Sequence, residues 1–242
     1  RHVDRATRAD GGLRALHPSI LESLMKRPLG AQISHMLKAR GVDVIFGIPG
    51  VHNIEMYRGI EEARITHVLA RHEQGAAFMA EIYGRLTGKA GVCLSTIGPG
   101  ATNLVTGLAD AQIDSTPVVC ITGQVGTGAI GSDAFQETDV TGVTLPVTKH
   151  NYLVMDVEDL AYTIRKAFHI ARTGRPGPVL IDVPKDLQKA KTEFIYPEEE
   201  IILPGYHPAG AAAGAAPAAR GLRRRRPVVG PHAGPVPPRP SR

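Results

Sequence analysis

The feature that most limits what this chain can fold into is an alternation running through residues 29–205. Short β-branched apolar runs take turns with helical patterns, and glycines punctuate the joins. Val42–Phe46, Thr66–Ala70, Gly91–Thr96, Pro117–Thr122 and Val179–Val183 read as buried strands, each five or six residues long and too short and β-branched for helices. Helices are predicted over Ala31–Arg40, Asn53–Ala63, Glu73–Thr87, Ala101–Ile113 and Val157–Arg172, with a weak one near Gln136–Val140. Gly41, Gly88 and Gly174 follow three of them at positions suited to a left-handed residue, and Asp156 is placed to cap the last. Ala76, Ala77, Ala80, Ile82 and Tyr83 supply the packing face of the third helix. Such alternation predicts an α/β fold, a doubly wound parallel sheet with helices on both faces. Ligands of such sheets bind beyond the carboxyl ends of the strands. That directs attention to the loops Gly47–Gly50, Arg71–Glu73, Gly98–Gly100, Gly123–Gln136 and Pro184–Asp186.

The flanks have a different texture. Residues 1–28 form an N-terminal extension without clean periodicity, apart from a short helix around Ile20–Met25. They lack the apolar core of a signal peptide. Residues 206–242 contain 22 Ala, Gly or Pro among 37. Such a tail buries too little apolar area to offset its backbone entropy and is expected to be disordered. Its abrupt change of alphabet resembles translation in a shifted frame. Its Arg223–Arg226 run reads first as a solvated tail and second as a contact for a polyanion.

The net charge of +5 belongs to these ends: 15 basic and 20 acidic residues remain within 29–205, a net of −5. A mildly acidic folded region argues against a nucleic-acid partner. No run of 18 apolar residues exists to span a membrane, and a cytoplasmic location is expected.

Several common machines lack their signatures. There is no G-x-x-x-x-G-K-[ST], no G-x-G-x-x-G after a strand, no G-x-S-x-G and no H-E-x-x-H. Cys93 and Cys120, the two cysteines, lie mid-strand among aliphatics and read as core. No metal ligand set is expected in the chain. What remains is Glu73, which opens a helix three residues after a strand, among Gly75, Ala76 and Ala77. Alone, an acid in a first turn is accounted for by the helix dipole.

The set of motifs says more. Arg71-His72-Glu73-Gln74-Gly75-Ala76, Gly98-Pro99-Gly100-Ala101-Thr102-Asn103, Gly123-Gln124-Val125, Asp133-Ala134-Phe135-Gln136-Glu137, Thr148-Lys149-His150-Asn151 and Val183-Pro184-Lys185-Asp186 occur in order. Together they resemble the N-terminal, pyrimidine-binding domain of thiamine-diphosphate enzymes, in particular the acetolactate (acetohydroxyacid) synthase large subunits. The resemblance covers roughly residues 30–205. It implies thiamine diphosphate as cofactor, with Glu73 as the acid that shares a proton with a ring nitrogen of the aminopyrimidine. An acid with that task benefits from burial that raises its pKa. The loop Gly47–Gly50 would lie along the pyrimidine, so Ile48, Pro49 and Gly50 are cofactor-binding candidates. Phe135, Gln136 and Lys185 match substrate-pocket positions, with Gln136 and Lys185 joining Glu73 as catalytic candidates. Lys185 suits a 2-oxoacid carboxylate, although an ordinary surface lysine also fits that place. His72, beside the acid, could tune it.

The resemblance further implies decarboxylation of pyruvate and transfer of the hydroxyethyl group to a second 2-oxoacid. The domains that carry Mg²⁺ with the diphosphate, and FAD, have no counterpart in the motifs. The chain thus reads as a truncated large subunit, inactive by itself, which forms a homo-oligomer or pairs with the diphosphate-binding domain of an intact subunit. Two departures stand out. Gly126 replaces a proline of the family, and Ile48-Pro49-Gly50-Val51-His52-Asn53 is closer to some 2-oxoacid decarboxylases. Two alternatives therefore stay open: a domain of another thiamine-diphosphate decarboxylase or carboligase, and a non-catalytic interaction remnant.

Overall fold

Six strands run parallel through the middle of the molecule in the order β3-β2-β4-β5-β7-β6. They are β2 (Val44–Gly47), β3 (Thr66–Leu69), β4 (Gly91–Ser95), β5 (Val118–Gln124), β6 (His150–Leu153) and β7 (Pro178–Pro184). The computed structural model describes residues 27–192, 201, 203–206 and 208. Expectations for the helix at Ile20–Met25 and for most of the C-terminal tail lie outside these. A second, two-stranded ribbon pairs β1 (Arg27–Pro28) with β8 (Lys191–Thr192), antiparallel. The side chain of Gln32 ties it down by donating to the carbonyls of Arg27 (3.0 Å) and Thr192 (2.6 Å).

The central strands β4, β5 and β7 are buried along their whole length, as their continuous apolar runs require. Alternate residues feed two cores. On one face Val92, Leu94, Val119 and Ile121 meet α1 (Leu29–Ala39) and α7 (Asp159–Arg172). On the other, Cys93, Val118 and Cys120 meet α3 (Glu73–Thr87), α4 (Pro99–Thr102) and α5 (Val105–Ile113). The doubly wound sheet predicted from the alternation is thus the fold observed. α7 buries Leu160, Ile164, Ala167, Phe168 and Ala171, the spacing of a one-sided helix. Cys93 and Cys120 are free, buried and face each other in register, with sulfurs 2.8 Å apart. Their mutual hydrogen bond and burial push the Cys120 thiol well up.

Local differences have local causes. α3 matches its predicted bounds and ends at Gly88 with φ 71°, but Ile82 is on its solvent side, 48% exposed. The helix expected over Asn53–Ala63 is only α2 (Ile54–Tyr57). Beyond it the chain turns at Gly59, where a Cβ would stand 2.1 Å from the Ala31 carbonyl oxygen. Gln136 takes φ 63°, so no helix forms there; α6 (Val140–Thr144) begins later, capped by Asp139, which accepts from the Gly142 amide at 2.8 Å. α7 starts at Asp159, and Asp156 accepts instead from the Glu158 amide just ahead of it. Four elements, β1, β6, α8 (Lys185–Lys189) and β8, have no sequence counterpart in the prediction. Tyr206, placed by sequence at the start of the tail, is anchored: its hydroxyl donates to the Thr173 carbonyl (3.1 Å) and accepts from Lys149 Nζ (3.0 Å).

α3 sits unusually low on the sheet. A Cβ on Gly91 would be 1.8 Å from the Ala80 carbonyl oxygen, and one on Gly107 would be 2.5 Å from the Ala77 Cβ. Glycine under the helix and alanine on it set its height. Gly91→Ala must therefore lift α3 and should destabilise the chain by about 1–3 kcal/mol, the usual cost of overpacking. Gly75→Ala, where a Cβ meets nothing within 4 Å, should be neutral or slightly stabilising. Thermal or denaturant unfolding of both variants checks this, and equal effects would refute the close-contact argument.

Candidate active site

The chain passes from β2 to β3 on one side and then returns to β4 on the other side of β2. A crevice opens at such a switch, beyond the carboxyl ends of the strands. The loops after β2, β3 and β4 all reach it.

Glu73 is the first residue of α3, brought there by the turn after β3. His72 caps the helix, its Nδ1 accepting from the Gln74 amide at 3.2 Å. The ring thus serves the backbone beside the acid. The carboxylate of Glu73 is half-buried and is held on one side only: Oε2 accepts from Asn103 Nδ2 at 2.9 Å. Oε1 faces Gly100, where an added Cβ would lie 3.3 Å away.

Glycines let the neighbouring loops close on one side chain. A Cβ on Gly50 would come within 2.8 Å of Thr96, and one on Gly100 within 2.7 Å of the same side chain. Thr96 is the wedge between the two loops. The Gly47–Gly50 loop is braced from below by Asn53, which is fully buried. Asn53 Oδ1 accepts from the Gly50 amide at 2.6 Å and its Nδ2 donates to the Ile48 carbonyl at 3.1 Å. The backbone of Ile48, Pro49 and Gly50 is thereby fixed along the crevice.

The remaining sequence candidates are distributed around this centre. Gln136 leans on the crevice wall: a Cβ on Gly98, itself at φ 59°, would be 2.5 Å from the Gln136 carbonyl oxygen. Phe135 next to it points outward and is 82% exposed, so the structure does not bring its ring against Glu73. Lys185, first residue of α8, lies beyond the β2 loop, close enough to His52 to help burial hold that imidazole below its usual pKa. It makes no hydrogen bond or ion pair among the described residues. Gly123 lets the His52 carbonyl approach, since a Cβ there would be 2.0 Å from that oxygen, and Gln188 Nε2 donates to it at 2.8 Å. Among the described residues no three His, Cys, Asp or Glu cluster to hold a metal ion.

Sequence reasoning missed Asn103, Thr96 and Asn53 as individual actors, although the first and the last stand in strings it had marked. It also missed Asp182. This carboxylate is 1% exposed on β7 and accepts from Thr122 Oγ1 (2.7 Å) and Gln124 Nε2 (2.8 Å). Gln124 Nε2 also donates to the Thr138 carbonyl at 3.1 Å, tying the loop after β5 to the sheet. Burial pushes the carboxyl up to about 7, against the pull of those hydrogen bonds.

A family model of the thiamine pyrophosphate enzyme N-terminal TPP binding domain matches residues 27–143. Residues 27–143 carry the N-terminal domain of the thiamine pyrophosphate enzymes. It is 51% identical to the acetolactate synthase large subunit of Corynebacterium glutamicum over 185 residues, 76% of this chain and 29% of that protein. It is 52% identical over 180 residues to the isozyme 2 large subunit of Escherichia coli K12, 72% of this chain and 33% of the relative. A chloroplastic acetolactate synthase of Nicotiana tabacum is 54% identical over 173 residues, 70% and 26% of the two chains. The match thus spans about three-tenths of the length of these relatives. Glu73, Asn103 and Gly100, which meet at the head of α3, and Gly50, which packs on Thr96, all fall within the family match.

Asp182 gives the chain a pH signature. Its folded pKa of about 7 exceeds the ordinary 3.8, so the fold favours the neutral acid. That contribution is complete below about pH 4 and is lost as pH rises through 7. Asp182→Asn keeps an acceptor without the charge. Relative to the variant, the unmodified chain should lose on the order of a few kcal/mol between pH 4 and pH 8. Denaturant unfolding across that range checks it; a pH-independent gap would exclude the ionisation.

Proposed function

We propose that this chain is the pyrimidine-binding part of an acetolactate synthase large subunit, acting on 2-oxoacids with thiamine diphosphate. The observation that carries the reading is the half-held carboxylate. Glu73 has one oxygen occupied by Asn103 and the other directed at Gly100, between loops too tight for any side chain at Gly50 or Gly100. A flat heterocycle fits such a cradle, and a carboxyl with a free oxygen suits a ring nitrogen that shares a proton.

When bound, the cofactor supplies the electron sink for decarboxylation. The chain's residues orient and protonate. Glu73 Oε1 holds the proton at the ring nitrogen, and Asn103 fixes the rotamer through Oε2. The backbone of Ile48–Gly50, kept rigid by Asn53, lines the ring. Gln136 borders the substrate side of the crevice, with Phe135 reaching outward to a neighbouring subunit. Lys185 meets the 2-oxoacid carboxylate. As the resemblance to acetolactate synthases implies, Mg²⁺ with the diphosphate, and FAD, would be held by other domains of the enzyme. The complete site then forms against the diphosphate-binding domain of another subunit in a homo-oligomer. Exposed Ile82, Leu86 and Ile113 on α3 and α5, away from the crevice, support a separate contact within the homo-oligomer. The domain reading is residues 29–205 as the pyrimidine-binding unit, flanked by an extension and a tail. No described helix is long and apolar enough to cross a membrane; a cytoplasmic location is part of the proposal.

The Pro49-Gly50-Val51-His52-Asn53 version of the β2 loop, with its buried Asn53 brace, favours one second reading, a thiamine-diphosphate 2-oxoacid decarboxylase. A chimera discriminates. With residues 27–192 replacing the matching segment of an acetolactate synthase large subunit, pyruvate should give acetolactate, and Glu73→Gln should cut turnover by on the order of 10²–10⁴-fold. Acetaldehyde as the product would favour the decarboxylase. A folded chimera without cofactor-dependent product would leave only an interaction role.

A further inference from the structure

We propose that Glu137 is a positioning residue, whose carboxylate shapes the turn that holds Gln136 against the crevice and Phe135 outside it. The assignment of that turn to the substrate side rests on the function proposed above; the shaping itself does not.

The turn is conformationally demanding. Gly131 (φ 84°), Asp133 (φ 55°) and Gln136 (φ 63°) all occupy the left-handed region within six residues. Two of these are not glycine, and each such residue is disfavoured by its own Cβ. No apolar packing offsets this, because residues 131–133, Phe135 and Gln136 are exposed. The backbone amides that such a turn points inward need an acceptor, and one side chain supplies it. Glu137 Oε1 accepts from the Gly131 amide, and Oε2 accepts from the Ala134 amide at 3.0 Å. The Glu137 amide closes the loop by donating to the Ala134 carbonyl at 2.8 Å. A carboxylate is the side chain that accepts at two oxygens at once with a full charge, and charge-assisted bonds of this kind are the stronger ones. These amides hold the Glu137 carboxyl below its usual range.

The tip of the turn is placed by the same contacts. Gln136 immediately precedes Glu137, and its carbonyl oxygen rests where Gly98 leaves room. Downstream, Thr138 is tied to the sheet through Gln124, so Glu137 stands between a fixed anchor and a strained tip. Asp133 on the turn and Asp139 at the head of α6 are the ionisable neighbours along the chain; Gly98–Thr102, against which Gln136 leans, contributes none.

The test uses the chain itself and needs no cofactor. Amide resonances of Gly131 and Ala134 are followed by NMR from pH 3 to 7, with hydrogen exchange and contacts between Gln136 and Gly98 recorded. In the unmodified chain both amides should titrate together with a midpoint below 4.5, and Gln136–Gly98 contacts should weaken as the acid is protonated. Glu137→Gln should abolish that titration, speed exchange at both amides about tenfold or more, and weaken the Gln136–Gly98 contacts at pH 7, while the melting temperature changes little. Glu137→Ala should do the same more completely. Absence of a shared titration in the unmodified chain would overturn the proposal, as would Gln136–Gly98 contacts that survive both substitutions. A failure of thiamine to bind leaves these readings unchanged and counts against the proposed function alone.

Discussion

Everything at the crevice depends on how close α3 lies to the sheet. Glutamate 73 sits at the head of that helix, so the helix's height decides where its carboxylate lands. Gly91 beneath meets Ala80 backbone against backbone, and Gly107 on α5 admits the Ala77 Cβ alongside. Interiors packed this tightly do not yield smoothly, and a helix raised by one methyl group would take Glu73 away from Asn103 and Gly100. Small residues that look like weak packing are therefore what gives the acid its address.

Loop geometry follows the same economy. Gly47, Gly50, Gly98 and Gly100 bring three strand ends together because nothing but hydrogen fits between them and Leu94, Thr96 or Gln136. Polar side chains then fix what glycine leaves loose: Asn53 under the β2 loop, Asn103 beside the acid, Gln124 with Asp182 under the loop after β5, and Glu137 within it. Each of these groups satisfies donors or acceptors that would otherwise be costly near a buried sheet end.

Much of this was legible in the sequence, for physical reasons that also mark the limits. β4, β5 and β7 announce themselves because both faces are buried, so their residues are apolar without interruption. β6 does not, because His150, Asn151 and Tyr152 lie at a sheet edge, half in solvent, and only pairing with β7 makes them a strand. α3 was readable to the residue because it runs between a capped start and a left-handed glycine. The Gln136–Val140 helix failed because a tertiary contact with Gly98 and the bonds of Glu137 impose a left-handed turn that local propensity disfavours. At the site, Glu73 stood out as an acid among small residues. Asn103 and Thr96 did not, since their meaning lies in which loop they face, thirty and twenty-three residues along from the acid. Asp182 was hidden for the opposite reason: one acid inside an apolar strand gives no hint of the two donors that await it across β5.

The central claim is that Glu73 Oε1 is the free partner for a heterocyclic nitrogen. The most direct measurement is the ¹³C resonance of the Glu73 side-chain carboxyl while thiamine diphosphate and Mg²⁺ are titrated into the chimera that carries residues 27–192. This resonance should move, together with the amides of Gly50 and Gly100, and Asn103→Ala should alter its course. A carboxyl that stays put while cofactor shifts appear elsewhere, or nowhere, would contradict it.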